Sequence, residues 1–193
     1  DGAASKSCAD CHGDVDRSMR GVAARYPAFD SIGGALLALA GRINACRTRH
    51  QQAAPWAAES EALLGLETRV AMASRGLPIA PPDDARLAPF REQGRQLFSQ
   101  RLGQLDLSCA QCHDSLAGRR LGGSVIPQGH ATGYPVYRLE WQGLGSLQRR
   151  LRNCLSGVRA AVPPYGAAEL VVLELHLMQR AAGMALETPA VRP

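Results

Sequence analysis

Cys8-Ala9-Asp10-Cys11-His12 and Cys109-Ala110-Gln111-Cys112-His113 are two complete Cys-x-x-Cys-His motifs in one chain of 193 residues. Each motif reads as a covalent haem c site. In such a site two thiols add across the haem vinyl groups, and the adjoining histidine supplies the proximal nitrogen to iron. Cys8, Cys11, Cys109 and Cys112 are therefore the expected attachment residues, and His12 and His113 the expected proximal ligands. A four-cysteine zinc site usually draws its two pairs from closer in sequence. A redox dithiol would need a βαβ setting that the sequence lacks. Neither of those explains a histidine directly after each pair.

The halves can be laid over each other. At a shift of 108 residues, Tyr26-Pro27 falls on Tyr134-Pro135, Cys46 on Cys154 and Glu61 on Glu169. This pattern predicts an all-α protein made of two tandem cytochrome c-type haem domains related by internal duplication. The expected domains are residues 1–80, carrying haem 1, and residues 81–193, carrying haem 2 and the active site. Apolar spacing predicts helices over residues 85–101, 60–73 and 168–181. Shorter helices are expected over residues 31–43 and 145–151, each ending ahead of an unpaired cysteine. Gly76-Leu77-Pro78 and Pro81-Pro82 read as the linker, and residues 122–135 as an irregular loop over haem. Little strand is expected.

Composition limits the function classes. The hydrophobic fraction of 46% permits a core, and haem would compensate for only 5% aromatic residues. The net charge of +5 is offset by haem propionates, and no basic tail or aromatic-interleaved patch points to nucleic acid. No apolar run is long enough to span a bilayer. Haem attachment takes place outside the cytoplasm, so removal of an export signal is expected. Only seven residues precede the first motif, and a cytochrome c fold places a helix there, so the first domain is expected to begin upstream.

Candidates for the distal iron position are Met19, Met72, Met178, Met184, His50, His130 and His176, together with Cys46 and Cys154. Only the two cysteines keep register between the halves, and each precedes a final helix by the same interval. They are the favoured distal ligands, with a Cys46–Cys154 disulfide as the alternative. A thiolate ligand lowers haem potential, which argues against a simple high-potential shuttle. Arg149, Arg150, Arg152 and Arg159 crowd Cys154. Cations hold a neighbouring thiol as thiolate and focus a field that attracts a small dianion. Arg150, four residues before Cys154, could face the same pocket. Arg42, Arg47 and Arg49 echo this more weakly around Cys46.

Further segments carry a family resemblance. Ser7 to Asp14, Gly21 to Pro27, Gly133-Tyr134-Pro135-Val136-Tyr137-Arg138-Leu139-Glu140-Trp141, and Arg152-Asn153-Cys154 with Gly157-Val158-Arg159-Ala160 resemble the SoxA family over essentially the whole chain. The resemblance implies a periplasmic dihaem cytochrome with two covalently bound haem c groups, paired with a monohaem SoxX subunit. It implies L-cysteine S-thiosulfotransferase activity, in which thiosulfate is oxidatively joined to a cysteine of the SoxYZ carrier and a cytochrome c accepts the electrons. It assigns Cys154 as active-site cysteine and ligand of haem 2, able to carry a persulfide sulfur. Arg150 becomes the substrate-site arginine, and Cys46 the distal ligand of haem 1. The alternatives are a thiosulfate dehydrogenase that forms tetrathionate, and a non-enzymatic electron-transfer cytochrome.

Overall fold

The structure is a computed structural model that describes residues 6–193. Residues 1–5, the start of the expected first domain, lie outside the described residues. Seven α-helices are described, α1 Cys8–His12, α2 Val15–Ser18, α3 Leu39–His50, α4 Glu61–Met72, α5 Ala88–Ser99, α6 Leu147–Gly157 and α7 Ala168–Arg180. Three small sheets accompany them. They are built from β1 Ala28–Asp30, β2 Ala35–Leu37, β3 Arg120–Leu121, β4 Ser124–Val125, β5 Val136–Arg138, β6 Gly143–Gly145 and β7 Ala190–Arg192.

The all-α expectation is therefore overturned, and the chain is mixed α and β. Residues 31–43 show why. Their apolar spacing suggests one helix, but Gly34 sits at φ +66° and turns the chain into a hairpin, pairing Ala28 with Leu37 and Asp30 with Ala35. Glycine reaches that region without steric cost. α3 starts only at Leu39, so Cys46 lies within the helix and not beyond its end. The second hairpin repeats the register, with Val136 opposite Gly145 and Arg138 opposite Gly143. Gln142, at φ +47°, occupies the turn position of Gly34, and its side-chain amide donates to Leu139 O at 2.7 Å. α6 follows from Leu147 and includes Cys154. The halves thus correspond in element order and hairpin register, and this correspondence does not establish a duplication.

The three longer predicted helices form where periodicity places them. Ser60 caps α4 by accepting from Leu63 N at 3.3 Å, satisfying an orphan donor of the first turn. α7 buries Leu170, Val171, Val172, Leu173, Leu175, Leu177 and Met178. A helix apolar on so many sides is one enclosed by other elements. α5 crosses α7 closely, because a Cβ on Gly94 would lie 2.4 Å from Val172 O. Gly94→Ala is expected to lower unfolding free energy by about 2 kcal/mol through overpacking, measured by denaturant unfolding of the holoprotein.

One buried cluster joins residues from both sides of residue 80, including Leu63, Val70, Ile79, Phe98, Leu173 and Met178. The predicted linker belongs to this core. Gly76 N donates to Leu186 O and Ile79 N to Met184 O, both at 2.8 Å, and Ile79 is fully buried. β7 pairs parallel to β5, so the last described residues brace the hairpin that leads into α6. No described helix is long and apolar enough to cross a membrane.

Candidate haem and sulfur site

The first motif forms α1 itself. Ser7 caps it in a reciprocal capping box with Asp10, and both Cys8 and Cys11 are exposed. Gln51, at the end of α3, donates to Lys6 O at 2.8 Å and approaches Cys8 Sγ at 3.9 Å. The motif is thereby tied to the helix that carries Cys46. Cys46 is half-buried and lies within electrostatic reach of Arg49.

The second motif follows a tight turn over residues 102–107. Gly103 has φ +70°, and a Cβ there would meet Val158 O at 2.1 Å. Gln104 N donates to Arg159 O at 3.3 Å and Leu105 N to Val158 O at 3.4 Å. The turn before the motif is therefore fastened to the end of α6. The motif then enters a π-helical segment, Gln111–Ser115. π-Segments are rare and recur at functional sites.

His113 is oriented by the chain around it. Its Nδ1 lies 2.8 Å from Pro127 O, and a Cβ on Gly129 would lie 3.3 Å from its Cβ and 3.5 Å from its ring. A backbone carbonyl facing Nδ1 makes that nitrogen the N–H donor and leaves Nε2 for a metal, which is how ligating histidines are commonly held. All six cysteines are free, so the Cys46–Cys154 disulfide is not formed. Among the described residues, no three His, Cys, Asp or Glu are gathered as a metal-ion cage, as a zinc site would require. The donor set fits covalent haem c, with thiols unpaired and an oriented histidine directly after them.

Cys154 is the eighth residue of α6 and is exposed. It stands near the motif, within electrostatic reach of both Cys109 and Tyr134. Burial pushes the Cys109 thiol up to about 11, with Cys154 adding to the shift. Burial also raises Tyr134, opposed by the cations Arg150, Arg138 and Arg192. Cys109, Tyr134, Arg150 and Cys154 thus form one neighbourhood.

The arginines near Cys154 divide into two kinds. Arg149 stacks on Trp141 at 4.3 Å and lies 4.0 Å from Glu59. Arg152 stacks on Tyr165 at 4.3 Å and donates to Pro163 O. Arg159 gives its carbonyl to the 102–107 turn. Among the described residues, the Arg150 and Arg159 side chains have no ion pair or hydrogen bond, and of these two Arg150 lies on α6 one helical turn before Cys154. Around Cys46 every arginine is engaged. Arg42 and Arg49 pair with Asp30 at 3.0 and 2.5 Å, and Arg47 covers Trp56 at 3.7 Å.

Five of the seven other distal candidates have a clear placement. Met178 is core, and Met19 packs against the same cluster. Met72 is exposed, and His50 ends α3 in solvent. His176 packs on Phe98 with ring centroids 4.9 Å apart, and burial holds its pKa down.

Residues 1–79 match the sequence model of the SoxA/TsdA cytochrome c domain. The L-cysteine S-thiosulfotransferase subunit SoxA of Pseudaminobacter salicylatoxidans is 35% identical over all of this chain and 68% of its own length. The chain belongs to the SoxA family. The protein of the same name from Rhodovulum sulfidophilum is also 35% identical, over 100% of this chain and 67% of that one. The SoxXA crystal structure from P. pantotrophus superposes with a TM-score of 0.95 at 32% identity, covering 100% of this chain and 73% of that one. Membership in the SoxA family brings with it a cytochrome c domain and hence covalent haem c.

Sequence reasoning overlooked Asp30, Arg138, Pro127 and the buried Glu67–Glu174 pair. Asp30 and Arg138 were detectable, because the shift of 108 residues that aligns the cysteines also aligns these two opposite charges. Pro127 carries no sequence signal, since its carbonyl is common to every residue type.

Proposed function

We propose that this chain is the haem-bearing subunit of an L-cysteine S-thiosulfotransferase, joining thiosulfate oxidatively to a cysteine of a SoxYZ-type carrier. The observation that carries this reading is Cys154, exposed on α6 beside Cys109 and Tyr134, with unpaired Arg150 one turn earlier. The SoxA names of the relatives supply the reaction. Two haem c groups are assigned, on Cys8, Cys11 and His12 with Cys46, and on Cys109, Cys112 and His113 with Cys154. When bound, haem c supplies the one-electron redox chemistry that the two-electron joining of two sulfurs requires, with a cytochrome c as final acceptor.

The protein's own groups perform the remaining steps. Arg150 binds the sulfonate end of thiosulfate through charge-assisted hydrogen bonds. This places the sulfane sulfur at the Cys154 Sγ, where the sulfur–sulfur bond forms. The carrier's thiolate then attacks that bond by thiol–disulfide exchange, taking the thiosulfonate group and returning Cys154. Exposure of Cys154 suits this second step, because an incoming peptide must reach it. SoxX is the assigned partner subunit and the periplasm the assigned compartment, as haem attachment and an oxidising sulfur chemistry both require.

Intact mass of the native holoprotein tests the cofactor assignment. The expected result is the chain plus two haems, with one further sulfur in a fraction of molecules, and a chain without added haem would refute it. Turnover with carrier tests the activity. Tetrathionate release without carrier would instead favour a thiosulfate dehydrogenase.

A further inference from the structure

The two hairpin–helix units place like residues at like positions, with one reversal of charge. Tyr26 and Tyr134 each lead into a hairpin, Arg42 and Arg150 are each the fourth residue of the following helix, and Cys46 and Cys154 each the eighth. The last residue of the first hairpin strand is Asp30 in one unit and Arg138 in the other, opposite Ala35 and Gly143 in the same register.

In the first unit Asp30 consumes the local cations. Its carboxylate accepts from Arg42 Nη1 at 3.0 Å, from Arg49 Nη1 at 3.1 Å and from Gly33 N at 3.0 Å. Only 3% of its side chain is exposed. Arg42 also donates from Nε to the Tyr26 hydroxyl at 3.1 Å. A guanidinium held this way is neutralised and geometrically committed, so it has little left for an incoming anion.

The second unit has no carboxylate at that point. Arg138 turns to the rim, where it donates to Glu140 Oε2 at 2.9 Å and lies 5.2 Å from the Trp141 ring. Its side chain is only 14% exposed, and its Nε is buried without a partner. Arg138 and Arg150 both act on Tyr134, as Cys154 does. Two guanidiniums therefore share a neighbourhood in which the first unit has an arginine–aspartate pair.

We propose that Arg138 is a specificity-determining residue for the anionic sulfur substrate, keeping Arg150 unneutralised and adding a second cation to the approach to Cys154. The inference rests on the assignment of Cys154 and Arg150 made above. It predicts that the two similar cysteine sites in this chain differ in affinity for a dianion. Two guanidiniums that share one neighbourhood with a single partial counter-ion, Glu140, are costly together, and an oxyanion with two negative charges relieves that cost.

Arg138→Asp in the holoprotein, which recreates the charge arrangement of the first unit, tests this. Calorimetric Kd for thiosulfate is expected to rise about tenfold or more, as loss of a charged hydrogen-bonding partner does. KM should rise in step, with kcat falling by less than KM rises. Arg138→Gln should lie between, and Arg138→Lys should recover most of the binding because it keeps the charge. Haem content and melting temperature identify any misfolded variant, in which case the Gln and Lys variants decide. Kd and KM within twofold of wild type in Arg138→Asp, equal binding by the Gln and Lys variants, or a fall in kcat at unchanged KM would each overturn the proposal. Arg150→Ala and Cys154→Ala run alongside keep the two readings apart. If those two lose turnover while the Arg138 series binds normally, only this inference fails. Full turnover by Cys154→Ala would remove the reading beneath it.

Discussion

Holoprotein carrying Cys154→Ala is expected to lose thiosulfate-dependent modification of the carrier cysteine by at least ~10³-fold, the scale seen when a covalent group is deleted from a catalytic set. The loss should fall on kcat, because the bond to sulfur is made only in the reaction and Arg150 still binds substrate. Structure should be retained. Cys154 is not among the buried residues of α6, which are Leu147, Gln148 and Leu155, and alanine is the strongest helix former. Cys154→Ser keeps the size and polarity of the side chain but not the sulfur, and should fall as far. Steady-state turnover with reduced carrier, following both the carrier's mass and cytochrome c reduction, is the measurement. Full activity in either variant would mean that sulfur does not pass through this residue.

A second large effect is expected in stability as a function of pH. Glu67 and Glu174 face a cavity of about 330 Å³ between the helices, lined also by Asn44, Glu59, Tyr134 and Gln148. Burial, with Glu174 and Glu59 adding to it, pushes Glu67 up to about 8, against a hydrogen bond from the Ala40 backbone. Burial pushes Glu174 up to about 7, although Gln148 Nε2 donates to its Oε1 at 2.6 Å. Both carboxyls therefore hold a proton in the folded chain over a range where the unfolded chain has released it. Folding then takes up protons, so stability is greatest below pH ~4.5 for this pair and falls as pH rises toward 8. Removing the Glu67 ionisation with Glu67→Gln should flatten that slope. The variant should match wild type near pH 5 and exceed it by about 3 kcal/mol near pH 8.5. Denaturant unfolding of both holoproteins from pH 5 to 9 gives the comparison, and parallel profiles would contradict the protonated assignment.

The two carboxylates mark what was hidden in the sequence. Glu67 and Glu174 lie on helices whose apolar periodicity is correct, and nothing in that periodicity distinguishes a cavity-facing glutamate from a solvated one. The longer helices were legible because burial of one face repeats every three to four residues, and α4, α5 and α7 form where that repeat places them. The hairpins were not. Each strand is three residues long, too short for alternation to register, and the apolar residues of β2 run on into α3 as if helical. The cysteines and histidines assigned to the site stand out in the sequence because that assignment rests on residue type and spacing alone. Which arginines near Cys154 keep a free guanidinium depends on tertiary partners, with Trp141 and Glu59 holding Arg149, and Tyr165 holding Arg152. The sequence nevertheless contains a charge reversal between the two cysteine-bearing units, in Asp30 and Arg138 at one aligned position.

The fastening of the 102–107 turn to the end of α6 has a mechanical consequence. Gly103 lies against Val158 O, and two backbone hydrogen bonds join the strip just before Cys109 to the residues just after Cys154. The strip and the helix end therefore behave as a single stiff bracket, and its two arms cannot spread without breaking both bonds. The short β3–β4 ribbon, by contrast, is free of this contact and presents exposed Leu121 and Val125 to solvent. The residues that lead into the second motif and the helix that carries Cys154 are thereby held in fixed register.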